Sequence, residues 1–312
     1  MSNINCFVII VTFNSMKWIN KCLVSLNGYK VIIVDNNSQD NTKEFISSNY
    51  SKVTLLEQVE NLGFGQANNI GISFALKAGA EHIFLLNQDA YLKEGCLDIL
   101  IDFQNENNEY GILSPIHLNG TGTRLDANFS NYLNYSGNKD FFSDYVLNKT
   151  LKQVYQVPFV NAAGWLLSRK CIEKVGGFDP IFFHYGEDDN YCQRVNYYGF
   201  KIGVVPNAVL FHDRENRSAK EVANADRDYF QAMERQLKLT YADINKIWDP
   251  NIDNIIRKRR NAWIKSTIKL DLKRATFFKN EYLIFKSLKS EVLLSREINK
   301  SPGLNYLNFE NL

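Results

Sequence analysis

The chain contains no CxxC pair, no run of about eighteen apolar residues and no large net charge. Its five cysteines, Cys6, Cys22, Cys96, Cys171 and Cys192, are odd in number and widely spaced. They suggest neither a disulfide framework nor a structural zinc site, and are expected to be reduced thiols in a cytoplasmic protein. The apolar stretch in MSNINCFVIIVTFN is too short for a signal-peptide core or a membrane span. The protein is therefore expected not to cross a membrane, although it can lie on one. A formal net charge of +2 supplies no overall field favouring nucleic acid. Glycine is missing from the first turn, TFNSMKW, which argues against a GxGxxG dinucleotide fingerprint.

What is present is a series of short apolar runs that stop at polar or acidic residues. VIIVDNNS at 31–38, IFLLNQDA at 83–90 and FFHYGEDDN at 182–190 each end this way. A buried parallel strand reads so, and its C-terminal edge is where open α/β sheets bind ligands. The first half predicts strands over 6–11, 31–34, 53–56 and 82–86, alternating with helices over 16–26, 42–48 and 65–78. That order implies parallel pairing with right-handed crossovers. The stretch 118–156 is rich in Asn, Ser, Tyr and Gly and reads as an insertion or lid over the cleft. Sheet character returns over 157–167, a helix is expected over 187–198, and Pro206-Asn207 divides two short strands, 202–205 and 208–211. From about 219 the pattern is helical and basic, and residues after about 301 look like a loose tail.

Several residues carry chemistry at these strand ends. Asp35 could accept a base N–H or a ribose hydroxyl, or simply cap the next helix. The glycines of ENLGFGQANN precede a helix and could admit an anion to backbone N–H groups, or form a plain loop. Asp89, in Asn87-Gln88-Asp89, is placed to hold a hard cation whose shell is completed by phosphate oxygens. Glu187 and Asp188 open a helix, whose dipole favours ionised carboxylates; an ionised Asp188 could take a proton from an attacking alcohol. His212 ends a strand and is either structural or a second metal ligand, one that leans toward Mn²⁺ over Mg²⁺.

Taken in order, VIIVTFNS, VIIVDNNSQDNT, ENLGFGQANNIGI, IFLLNQDA, GWLLSRKCIEKVGGFDPIFFHYGEDDNYCQR and His212 resemble the family 2 glycosyltransferases of GT-A fold, rhamnosyltransferase-like branch. The resemblance implies an α/β fold: a Rossmann-like nucleotide-binding mixed sheet flanked by helices, with a helical C-terminal extension. It implies a catalytic domain over 1–218, with a nucleotide-sugar half to about 115 and an acceptor half over 116–218, followed by a helical region over 219–312. It implies that Thr12, Phe13, Asn14, Asp35, Asn61, Gly63, Gly65, Asn69 and Gln88 form the nucleotide-sugar pocket. By the same likeness Asp89 and His212 hold a divalent metal (Mn²⁺ or Mg²⁺), and Asp188 is the general base with Glu187 beside it. Two positions depart from the family pattern: Asn87 replaces the first acid of DxD, and Asn190 replaces the last acid of ED-x-D, which would alter acceptor contacts.

The implied activity is inverting transfer of a sugar from a nucleoside-diphosphate donor, dTDP-rhamnose or a UDP-sugar, to a saccharide or lipid-linked acceptor in bacterial surface polysaccharide synthesis. A sugar-nucleotide nucleotidyltransferase would carry a glycine-rich turn where TFNSMKW stands. A non-catalytic binding module would lack Asp188. No nucleic-acid partner is expected. The stripe Ile264, Ile268, Leu272 and Ala275 is expected to pack on the core or a second subunit, or, with Trp263, Phe277 and Phe278, to meet anionic lipid.

Overall fold

Alternating side chains in the first strand decide how the sheet is covered. In β1 (Cys6–Thr12), Phe7 and Ile9 face one hydrophobic core while Val8 and Ile10 face another, the period of two expected of a strand buried on both sides. The computed structural model describes residues 5–214 and 225–310. They fall into two compact units, Met1–Arg217 with Pro302–Leu312, and Ser218–Ser301.

In the first unit β1 is followed by α1 (Ile19–Val24), β2 (Lys30–Asp35), α2 (Thr42–Asn49), β3 (Thr54–Glu57), α3 (Gly63–Lys77), β4 (His82–Asn87) and β5 (Ala90–Leu92). Then come α4 (Cys96–Glu106), β6 (Tyr110–Asn119), α5 (Ser130–Leu133), α6 (Lys139–Val146), β7 (Tyr155–Gln156), β8 (Gly164–Ser168), α7 (Arg169–Val175), α8 (Glu187–Tyr197) and β9 (Lys201–His212). One mixed sheet runs β3-β2-β1-β4-β8-β6-β9-β5, with β7 on β9. β3, β2, β1 and β4 are parallel, β8 is antiparallel to β4, and β5 is antiparallel to β9. Helix α3 covers the face that holds Ile9 and Ile32, while α1 and α4 cover the face that holds Val8 and Ile33.

Four expectations need correction. Pro206-Asn207 does not divide two strands: β9 is continuous, and its register against β6 slips between Val205 and Val209, a bulge that absorbs the missing proline N–H. The segment 118–156 contains α5, α6 and β7 rather than pure loop. Residues 302–310 are not loose. Gly303 donates to the Lys174 carbonyl, Gly177 to that of Asn305 and Asn308 to the Ser73 hydroxyl, while Leu307 and Phe309 pack on the core. Finally, the stripe at 264–275 does not pack as a unit, for a reason found in the second body.

That body comprises α9 (Ala225–Tyr241), α10 (Ile252–Ile268) and α11 (Leu272–Lys300); the part of the helical reading over 219–224 lies outside the described residues. The chain reverses at Leu270, so the stripe spans two helices. Only Ala275 of it is buried, and Ile264, Ile268 and Leu272 are exposed. Phe285, Leu288 and Val292 form the buried side of α11, and Arg296 donates to the carbonyls of Tyr241, Asp243 and Lys246. Trp263 stacks on Tyr282 and Phe277 lies against Phe230, so these rings pack within the body. No described helix is long and apolar enough to cross a membrane.

The start of α3 depends on Gly63, which has φ +79° and whose added Cβ would overlap the Phe183 carbonyl. Gly28, with φ +96°, has nothing near an added Cβ. Gly63→Ala should therefore cost ~3 kcal/mol or more in urea unfolding, and Gly28→Ala only ~1 kcal/mol. Equal losses would show that the packing against Phe183 contributes nothing.

Candidate active site

The C-terminal edge of the sheet is assembled by β5. This strand follows β4 after Gln88-Asp89 and pairs Ala90 with His212 of β9. The register sets Asp89 beside His212, and the Asp213 N–H donates to the Asp89 carbonyl at 2.8 Å. His212 Nε2 lies 3.4 Å from Asp89 Oδ1, and both side chains are 1% exposed. On its other side His212 Nδ1 lies 3.5 Å from Asp126 Oδ2. Asp126 is itself fixed: its Oδ1 accepts from Arg214 Nη2 at 2.7 Å and from the N–H groups of Asn128 and Phe129. His117 stands edge-on to His212, accepts from or donates to Ser114, and stacks on Phe129. Burial, then the neighbouring His212 and Arg214, hold its pKa well below the ordinary value, so it stays neutral.

A carboxylate and an imidazole 3.4 Å apart fit as two adjacent ligands of one divalent ion, since neighbouring oxygens around Mg²⁺ or Mn²⁺ sit about 3 Å apart. The described residues contain no group of three or more His, Cys, Asp or Glu able to form a complete cage. Asp89 and His212 would therefore supply only part of such a shell.

Asp188 lies on the same edge. Its carboxylate accepts from the backbone N–H groups of Asp189 and Ala162. The next residue, Ala163, accepts from the N–H of Asn87 at 3.1 Å, two positions from Asp89. Tyr132 of α5 packs edge-on against Phe129 and Phe159. Burial raises its pKa first, then the charges of Asp188 and Asp189, while Arg214 opposes and Asp126 adds. The tyrosine thus feels the charges of Asp188 and Asp189 as well as those of Arg214 and Asp126.

Asp188 opens α8, where the helix dipole favours the charge, yet burial and Asp189 outweigh it and push the pKa up to about 6. The expected depression at the helix start is corrected in that sense. Glu187 is buried against α3, its Cβ 3.5 Å from the position of a Cβ on Gly65. Asn190 is buried and accepts from Arg194 Nε.

The residues expected to line a nucleotide-sugar pocket hydrogen-bond to neighbouring parts of the protein. Asp35 is fully buried and accepts from Thr12 Oγ1, Ser38 N and Ser38 Oγ, so it shapes the loop as a cap would. Thr12 is buried with it, and Asn14 accepts from Gln39 N while its own N–H donates to Ser38. Gln88 grips the backbone of Phe13, accepting from its N–H at 2.7 Å and donating to its carbonyl. A carboxylate could not do both, which explains the amide. Asn61 is held by Asn36 and accepts from Gly63 N. Asn69 clamps the N–H and carbonyl of Phe178, and an added Cβ on Gly65 would sit 2.9 Å from Phe178 Cβ. Phe13 keeps an exposed ring, 42% accessible, at the mouth of this edge. Asp126 and Tyr132 were not legible in the sequence. LDANFS carries only the Asx-turn signal of Asp126, and nothing near it points to His212.

The mixed sheet flanked by helices has the GT-A architecture, and it carries an acid-and-histidine pair at its C-terminal edge. The chain belongs to glycosyl transferase family 2, whose profile matches residues 7–176, more than half of its length. It is 27% identical over 226 residues to the dTDP-rhamnosyl transferase RfbF of Shigella flexneri, covering 70% of this chain and 72% of that protein. It is 25% identical over 241 residues to the N-acetylglucosaminyl-diphospho-decaprenol L-rhamnosyltransferase of Mycobacterium tuberculosis, covering 70% and 78%. The fold is shared with a mannosyltransferase of Pyrobaculum calidifontis solved with GDP-Man and Mn²⁺, at TM-score 0.52 and 15% identity, covering 95% of this chain and 87% of that one.

The raised pKa of Asp188 has a consequence for stability. The folded-state pKa, about 6, lies above the unfolded value of 3.8, so the ionised group costs stability above pH 6 and nothing below about pH 4. Asp188→Asn should stabilise the fold at pH 7.5 by up to ~2 kcal/mol in urea titrations, with the gain vanishing by pH 4. A gain confined to low pH would contradict the assigned environment.

Proposed function

We propose that this chain is an inverting glycosyltransferase that moves a sugar from dTDP-rhamnose or a UDP-sugar to a hydroxyl of a saccharide or lipid-linked acceptor in bacterial surface polysaccharide synthesis. The observation that supports the reading most is the buried Asp89–His212 pair, 3.4 Å apart, with Asp188 tied to the same sheet edge through the Ala162 N–H and the Asn87–Ala163 backbone bond. The two rhamnosyltransferase relatives support rhamnose as the sugar, and the second supports a lipid-linked acceptor. Buried, unpaired cysteines support a cytoplasmic setting.

In this reading the exposed Phe13 ring meets the base, and Asp35, Asn14, Gln88, Asn61, Gly63, Gly65 and Asn69 hold the pocket's backbone in shape. Asp188 removes the proton of the acceptor hydroxyl. The freed oxygen bonds to the anomeric carbon as the bond to the diphosphate breaks on the opposite face, and the diphosphate leaves with the electron pair. With a pKa of about 6, Asp188 is mostly ionised at neutral pH and still basic enough to hold the proton. Asp126 is a positioning residue: facing Nδ1, it directs the Nε2 lone pair of His212 toward Asp89. A divalent ion held by Asp89, His212 and the donor phosphates would neutralise charge on the departing diphosphate. α5 and Tyr132 bound the acceptor side and exclude water.

The test combines calorimetry with a diphosphate-release assay over a panel of dTDP and UDP sugars, with and without Mn²⁺. Asp188→Asn should lower kcat by about 10²–10⁴-fold and leave donor affinity within about twofold. Asp89→Ala should abolish the Mn²⁺-dependent part of nucleotide binding, and Asp126→Asn should weaken Mn²⁺ binding about tenfold or more. Normal turnover in Asp188→Asn would reject the base, and donor affinity that ignores Mn²⁺ would reject the metal site.

A further inference from the structure

The end of the α10–α11 hairpin carries a surface that the fold does not explain. Four aliphatic side chains cluster there in the open: Ile264 is 48% exposed, Ile268 76%, Leu270 82% and Leu272 73%. Leu270 is the most informative. α10 ends in a Schellman turn, with the N–H of Asp271 donating to the Ser266 carbonyl and that of Leu270 to the Thr267 carbonyl. Leu270 therefore occupies the left-handed position, at φ +57°, that glycine fills without strain. Folding alone would favour glycine or asparagine there, yet a large aliphatic side chain is held out into solvent.

Charge surrounds this tip. Residues 257–274 hold eight Lys or Arg against one acid, Asp271. That acid is occupied at the start of α11, accepting from the Arg274 N–H and lying 3.6 Å from the Arg274 guanidinium. Ile264 and Ile268 lie beside Lys265 and Lys269, the four lining one shallow, open depression with Asn261.

We propose that this hairpin tip binds the surface of an anionic lipid bilayer, Leu270 and its neighbours entering the acyl boundary while Lys265, Lys269 and Lys273 meet headgroup phosphates. The combination is the one interfacial helices use, apolar burial together with attraction to negative lipid. A second copy of the chain fits less well, because a two-fold contact would set this cation cluster against itself. A nucleic acid would account for the lysines and leave the aliphatics without a role. The inference goes beyond glycosyl transfer, and its test needs neither donor nor acceptor.

The full chain is mixed with phosphatidylcholine vesicles, or with vesicles containing about one third phosphatidylglycerol, and the bound fraction is read by flotation. Binding should be about tenfold or more stronger to the anionic vesicles. Leu270→Gly combined with Ile268→Ser should lower it about tenfold, with the melting temperature unchanged or raised because the turn strain is relieved. Lys265→Gln, Lys269→Gln and Lys273→Gln together should erase the preference for anionic lipid. The proposal is overturned if the wild type floats with neither vesicle, if the variant combining Leu270→Gly with Ile268→Ser floats as well as wild type, or if light scattering shows a dimer that this variant dissociates. Binding to RNA that is equally insensitive to Leu270→Gly, with no vesicle binding, would overturn it in favour of a polyanion site.

Discussion

The short antiparallel pairing of β5 with β9 is the constraint on which the site depends. Asp89 comes from the end of a parallel strand and His212 from the end of a strand at the far side of the sheet. The Ala90–His212 register, with the Asp213 N–H on the Asp89 carbonyl, brings them to 3.4 Å. Because a strand alternates faces with each residue, a slip of one position would turn His212 away from Asp89. The bulge at 206–208 belongs to the same device, since it lets one strand pair with β7 at its start and β5 at its end.

Three carboxylates at this edge are sorted by their surroundings. Asp35 has three protein donors and acts as scaffold. Asp89 is paired with an imidazole. Asp188 has backbone donors too, but burial and Asp189 prevail and push its pKa up to about 6. Asp126 supports the second of these from behind, held by Arg214 and its own turn. Similar carboxyl groups thus acquire different chemistry from position alone.

Much of this was legible in the sequence. Apolar runs stopping near Asp35 and Asp89 marked strand ends, because buried parallel strands are apolar on both faces and must stop where the edge meets water, but FFHYG before Asp188 is a loop with Phe183 and Tyr185 exposed, not the strand its apolar residues suggested. The family motifs placed His212. Long-range contacts were not legible: Asp126 meets His212 through the chain's return path, and Tyr132 sits in a segment without periodicity. The amides carry internal contacts that the sequence did not show. Gln88 and Asn69 each offer a donor and an acceptor, which suits a sugar but equally suits a backbone N–H and carbonyl, and the protein uses them for the latter. The stripe through Ile264 and Leu272 read as one helix face because periodicity does not reveal a leucine in a left-handed turn.

Anomalous diffraction from crystals grown with Mn²⁺ and a nucleoside diphosphate bears most directly on the shared crevice. The manganese peak should lie about 2.0–2.3 Å from an Asp89 carboxylate oxygen and His212 Nε2, bridged to the diphosphate, with the open side facing Asp188. A peak bound to other residues, or a nucleotide seated on a face from which Asp188 is absent, would contradict it.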